Sequence, residues 1–224
     1  MSTFKKTIII GSMICVFSFI ATGCDNNQND KVTDEQVQTT EIIETTTEAV
    51  TEGTTEVTTE AATEEVTSID LFKDSGLSTF ELSSEDLQDG KWNSVISSLD
   101  DGLNVSPQLS WEGVSEATSY VVYMVDSSAG YWLHWKSKNV TETNLSQGWA
   151  SEEEYIGPYP PGGTHSYDIY VFALRQPVER VKGTFNTANA IFYDNAMELD
   201  IADDGSTGNI ISYGYLPGTY TRED

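Results

Sequence analysis

The chain contains two histidines, His134 and His165. Each has an aromatic residue two positions away, Trp132 before the first and Tyr167 after the second. Residues two apart in a strand share a face, so each imidazole is expected beside a ring. Asp126 closes a short apolar run, Tyr120-Val-Val-Tyr-Met-Val125. If these three segments lie side by side, one site holds a carboxylate, two imidazoles and a phenol. Imidazole N–H and phenolic O–H groups donate hydrogen bonds, which suits a small anion such as phosphate. An aspartate accepting from a histidine N–H would fix the ring tautomer and favour its cation. The same residues also form the ligand set of a 2-His-1-carboxylate metal centre. Ser127 with Asp126 and His134 suggests a hydrolytic triad. However, no Gly-x-Ser-x-Gly elbow is present and nothing sets Ser127 against a base.

The segment that must shape such a site is Tyr155-Ile-Gly-Pro-Tyr-Pro-Pro-Gly-Gly-Thr-His-Ser-Tyr167. Its prolines and glycines exclude a helix or a paired strand from the first half. A strand is expected from Thr164, with His165 and Tyr167 on one face. A rigid loop delivering those two side chains to one surface reads as the wall of a small polar pocket, its backbone N–H groups adding further donors for phosphate.

The supporting elements read as short strands. Thr118–Val125 is unbroken, β-rich and too short for a helix. Over Trp132–Val140, strict alternation would place Trp132 and His134 on one face and Leu133 and Trp135 on the other. His165–Leu174 is a long alternating strand. Pro107, within Asn104–Trp111, argues for an edge position or a kink. Phe185–Leu199 is the best helix candidate, and Tyr213–Tyr220 reads as a turn with a short extended piece. Many short strands separated by turn signals indicate an all-β sandwich or barrel.

The first third of the chain is different. Lys5 and Lys6 precede an apolar stretch, Thr7–Ile20, too short for a comfortable membrane span. It ends in Ala21-Thr22-Gly23-Cys24, which resembles a bacterial lipobox. Residues 1–23 are therefore expected to be a lipoprotein signal peptide. Cys24 would be acylated, with palmitate among its chains, anchoring the protein to the membrane on its extracytoplasmic side. Cys15 would leave with the signal, so no disulfide is expected in the exported domain. Residues 24–67 repeat a loose Thr-Thr-Glu unit with almost no large apolar residues, and are expected to form a disordered tether. The folded domain is expected over 68–224. The formal net charge of −25 argues against a nucleic-acid partner, because phosphate backbones require neutralising cations.

Four segments, in order, carry a resemblance: Asn104-Val-Ser-Pro-Gln-Leu-Ser-Trp111, Tyr123-Met-Val-Asp126, Trp132-Leu-His-Trp135 and Tyr155–Tyr167. Together they resemble the phosphatidylethanolamine-binding protein family, in particular its bacterial Raf kinase inhibitor-like branch. Gly218-Thr-Tyr220 is similar to the family's terminal segment. The resemblance implies a β-sandwich with a large central sheet, a smaller sheet and a few peripheral helices. It also implies a pocket for phosphate or a phosphorylated head-group, lined by Asp126, Trp132, His134, Gly157, Pro158, Pro160, His165 and Tyr167. Binding without catalysis and without a cofactor is implied, as is a role as inhibitor or modulator of a protein partner. Such a role would act through the pocket or through a surface independent of it. The family's Asp-Pro-Asp-Ala-Pro is here Asp126-Ser-Ser-Ala-Gly130, which predicts a looser rim. Residues 175–212 match poorly.

Overall fold

The computed structural model describes residues 67–202 and 204–223. The signal peptide expected over 1–23, the lipidation expected at Cys24 and all but the last residue of the expected tether lie outside the described residues. The described strands are β1 (Ser78–Phe80), β2 (Leu82–Ser83), β3 (Leu87–Gln88), β4 (Lys91–Trp92), β5 (Leu109–Trp111), β6 (Ser119–Asp126), β7 (Trp132–Val140), β8 (Asn144–Leu145), β9 (Gly163–Leu174), β10 (Ile210–Leu216) and β11 (Thr219–Arg222). One short α-helix, α1, spans Phe192–Met197.

β9 organises the larger, mixed sheet. One edge pairs with β6. The other edge pairs with β11 over Gly163–Ser166 and with β10 over Ile169–Leu174. Beyond these lie β7 outside β6, β1 outside β10, and β4 and β3 outside β11. β2, β5 and β8 form a second sheet. The architecture is an all-β sandwich with the expected large and small sheets, and it does not close into a barrel.

All eight residues of β6 are buried, as an uninterrupted apolar strand covered on both faces requires. On the front face, Tyr120, Val122, Met124, Ile169 and Val171 pack with Leu82, Leu109, Trp111 and Leu145 of the small sheet. On the back face, Val121, Tyr123, Tyr170 and Phe172 pack under Phe72 and under Phe192, Ala196 and Leu199. Phe72 meets Tyr170, Phe172 and Phe192 edge-on at 5.2, 5.0 and 6.0 Å. Its segment is fastened by Asp70, which accepts from the Tyr213 hydroxyl at 2.8 Å.

Three elements differ from their sequence reading. The helix is confined to Phe192–Met197, followed by a 3-10 turn over Glu198–Asp200. Upstream, the backbone N–H of Asn186 donates to Leu133 and that of Asn189 to Gly130, so helical pairing is replaced by contacts with β7 and its preceding turn. Residues 213–220 hold the expected break, at Pro217-Gly218, but what flanks it is the end of one sheet strand, β10, and the start of another, β11, and not one short extended piece. β5 begins at Leu109, beyond Pro107, and is the middle strand of the small sheet. Of the two expected placements the edge is not found, and Pro107 stands at the entry of a central strand.

Replacing Phe72 by Ala should cost about 3–5 kcal/mol, the usual range for emptying a buried aromatic site. The check is a lower urea midpoint with an unchanged slope.

Candidate functional site

The register Asp126↔Tyr167 lays the end of β6 against the start of β9. Asp126, His165 and Tyr167 consequently share the front face, at the rim of the inter-sheet core. His165 Nδ1–H donates to Asp126 Oδ2 at 2.7 Å. The other carboxylate oxygen accepts from the Ser128 backbone N–H at 2.9 Å, capping the 3-10 turn Ser127–Ala129. The Ser166 N–H donates to Ser128 Oγ at 2.9 Å. Ser127 Oγ donates to the Ser166 carbonyl at 3.4 Å. The serines that stand in place of the family's acid and proline thus stitch the turn to β9. The Ser127 hydroxyl bonds the Ser166 carbonyl and the Asp168 carboxylate.

His134 reaches the same face by a route that strict alternation misses. Val125 pairs with Leu133 while Met124 pairs with Trp135, so His134 is the extra residue of a β-bulge. Leu133 points to the back core and Trp135 to the front core. The expectation that these two share a face is corrected, and both His134 and Trp135 serve the front. The bulge is clamped from outside. Ile156 N–H donates to the His134 carbonyl at 2.9 Å, and His134 Nδ1–H donates to the Ile156 carbonyl at 2.9 Å. A carbonyl only accepts, so the proton is held at Nδ1 and the lone pair of the neutral ring lies at Nε2.

Tyr167 stands between the two imidazoles, edge-on to His134 at 5.1 Å and stacked near His165 at 6.4 Å. Burial, and then the neighbouring Asp126 carboxylate, push its phenol far above the ordinary range, so it remains a donor at every physiological pH. Burial also lowers the His134 pKa, and this outweighs the opposing pull of the Ile156 carbonyl and Asp126. His134 and Tyr167 are almost wholly buried, at 2% and 1% exposure, whereas the His165 side chain retains 18%. Solvent therefore meets the site mainly at His165.

The Pro/Gly loop contributes differently from expectation. A Cβ on Gly157 would lie 2.0 Å from the Ile96 carbonyl oxygen, so glycine is required there for backbone to meet backbone. The Gly157 N–H donates to Asn104 Oδ1 at 2.7 Å. The Pro158 carbonyl accepts from Ser97 Oγ at 3.0 Å and from the Ser98 N–H at 3.2 Å. The polar backbone groups of Gly157 and Pro158 are committed to segment 96–104. The N–H expected at Gly157 for a phosphate is therefore already taken, and these two residues brace the wall from behind. Pro160 is buried, and its carbonyl accepts from Arg222 Nη1 at 3.4 Å.

Trp132, half-buried, forms the far rim. Its Nε1–H donates to Asn186 Oδ1 at 3.0 Å, and the Tyr159 hydroxyl donates to the same oxygen at 2.6 Å. Tyr159 also lies against His134, with ring centroids 5.3 Å apart. Sequence reasoning missed Tyr159, Asn186 and Arg222. Tyr159 alone carried a signal, being an aromatic inside the Pro/Gly loop. Asn186 falls in the poorly matching segment, and only the fold brings Arg222 to the loop. Among the described residues, no group of three or more His, Cys, Asp or Glu side chains is placed to hold a metal ion. Asp126 already uses both oxygens within the protein, so the 2-His-1-carboxylate reading gains nothing from this geometry.

A two-sheet scaffold that gathers Asp126, His134, His165 and Tyr167 at the end of its central strands defines a β-sandwich with a polar cluster at its rim. The sequence profile of the phosphatidylethanolamine-binding protein family matches residues 83–220. The chain belongs to that family. A UPF0098 protein of Methanothermobacter thermautotrophicus is 35% identical over 143 residues, which cover 54% of this chain and 86% of that protein. A UPF0098 protein of Pyrococcus horikoshii is 27% identical over 147 residues, covering 55% and 68%. The crystal structure of a phosphatidylethanolamine-binding protein homologue from Chlamydia trachomatis superposes with a TM-score of 0.50 at 25% identity. It covers 65% of this chain and 99% of that one.

The depressed His134 pKa fixes the sign of a pH effect on stability. The unfolded chain takes up a proton near pH 6.5 and the folded chain only lower, so His134 destabilises the fold as pH falls through that window. His134→Asn retains a donor for the Ile156 carbonyl but cannot titrate. Melting profiles should show the wild type losing more stability than this variant between pH 7 and pH 5. Parallel profiles would contradict the assignment.

Proposed function

We propose that this protein is a membrane-tethered extracytoplasmic binding protein whose front-face recess takes a small phosphate-like anion without transforming it. One observation carries the reading: the Asp126–His165 pair, the tautomer-fixed His134 and the permanently protonated Tyr167 all meet at one rim. Tyr167 supplies a donor that it shares with Asp126, and His165, whose Nδ1–H is held by Asp126, adds one from Nε2 in its imidazolium form. His134, neutral with its lone pair at Nε2, supplies an acceptor. Hydrogen phosphate satisfies that mixed pattern, since it carries anionic oxygens and one hydroxyl. Sulfate offers no proton to Nε2. Binding without catalysis is supported by the Ser127 hydroxyl facing a carbonyl. Inhibition or modulation of a partner protein would then be coupled to occupancy of the recess.

At pH 7.5, calorimetric titration should show phosphate binding at least about tenfold more tightly than sulfate, the value of one buried hydrogen bond gained or lost. His134→Asn should erase that preference, and His165→Ala should weaken both anions. Equal affinities in the wild type would refute the mixed-donor reading.

The tether and anchor rest on the sequence of residues 1–67. Cells expressing the full chain should incorporate labelled palmitate into the protein, and Cys24→Ser should abolish the label and release the protein from the membrane fraction. Labelling that persists in the variant would overturn the anchor.

A further inference from the structure

β11 runs antiparallel to the first residues of β9, with Tyr220 opposite His165 and Arg222 opposite Gly163. Directly opposed residues share a face, and alternation returns Arg222 to the face of Tyr220. Tyr220 belongs to the front core, its ring edge-on to Tyr167 at 6.4 Å. Arg222 therefore stands on the imidazole face, two cross-strand pairs beyond His165. Its Nη1 donates to the Pro160 carbonyl at 3.4 Å, which anchors one arm of the guanidinium to the site loop. The fork has further N–H donors to offer. An open groove of about 930 Å³ runs along β11, lined by Lys91, Thr221 and Arg222 together with the acids Asp100, Asp101 and Glu223, and by neither histidine. Arg222 thus links that groove to the Pro160 end of the site loop.

Four other cations are engaged elsewhere. Arg175 pairs with Glu116, and Lys182 pairs with Glu198 at 3.2 Å. Lys136 donates to the Gly183 carbonyl and Lys138 to the Glu179 carbonyl. Among the described residues, Arg222 is the cation that bonds the Tyr155–Tyr167 loop. In a chain of formal net charge −25, an anion approaching His165 meets an unfavourable field, and a local positive charge changes that field most at short range.

Resting on the anion-binding reading above, we infer that Arg222 is the charge-reading residue of the site and selects dianions over monoanions of the same size. The buried groups recognise hydrogen-bonding pattern, and Arg222 at the mouth recognises charge. A fixed positive charge attracts a dianion with twice the energy it offers a monoanion, so its removal should cost the dianion the square of the factor lost by the monoanion.

The test uses phosphite, a dianion at pH 8, and hypophosphite, a monoanion of similar size and also without a hydroxyl at that pH. Both are titrated against the full chain by calorimetry or NMR, beside inorganic phosphate. Arg222→Gln should lower phosphite affinity about tenfold and hypophosphite affinity about threefold, as the square relation requires. Arg222→Lys should retain most of both, and the wild-type preference should shrink as salt is raised. Unchanged melting temperatures would show that the variants are folded, as expected for an exposed strand-end side chain. Equal losses for the two anions, or no loss, would overturn the charge-reading role while leaving the anion site standing. A wild-type protein that binds none of the three anions would overturn the anion site itself and this role with it.

Discussion

The register of β6 against β9 is the constraint on which the rest of the structure depends. It runs without irregularity from Ser119↔Leu174 to Asp126↔Tyr167. A slip of one residue would turn Asp126 to the back face and present Val125 to His165. Polarity alone does not prevent such a slip, because both faces of β6 are apolar and buried. The ends prevent it. At one end the Thr118 N–H donates to Leu174. At the other, Ser127 and Ser128 bond to Ser166, and Asp126 caps the turn. The hydroxyl-rich turn is at once what terminates the strand and what aligns the carboxylate with the imidazole.

The second imidazole depends on a local departure from regular pairing. A perfectly alternating β7 could not send both His134 and Trp135 forward while Leu133 packs behind. The bulge resolves this, and its stray backbone groups are taken up by Ile156. The loop that carries His165 into β9 is therefore the same loop that locks His134 at its other end. Both rings are positioned by one segment, which is itself braced by Asn104, Ser97 and Ser98. Disturbing the brace at segment 96–104 should move both imidazoles together.

The site divides its tasks by depth. His134 and Tyr167 are buried, and burial holds each in its neutral form, so their hydrogen-bonding roles are constant across the neutral range. His165 lies nearer solvent and is paired with the one carboxylate of the recess.

The long strands β6, β7 and β9 were legible in the sequence because their composition and alternation are properties of neighbouring residues. The same holds for the acidic, threonine-rich character of the first third. The ordered motifs named the family, and with it the sandwich and the residues to watch. The face of Trp135, the inaccessibility of the Gly157 N–H, the shortened helix and the approach of Asn186 and Arg222 were not legible. Each is decided by a contact with a segment far away in the chain, whether a bulge opposite Val125, the Asn104 side chain on the Gly157 N–H or β11 beside Gly163. Steric and polar preferences within a strand are written locally. Which hydrogen-bonding groups remain free for a ligand is settled only when the sheets assemble and every other buried donor and acceptor has found its partner.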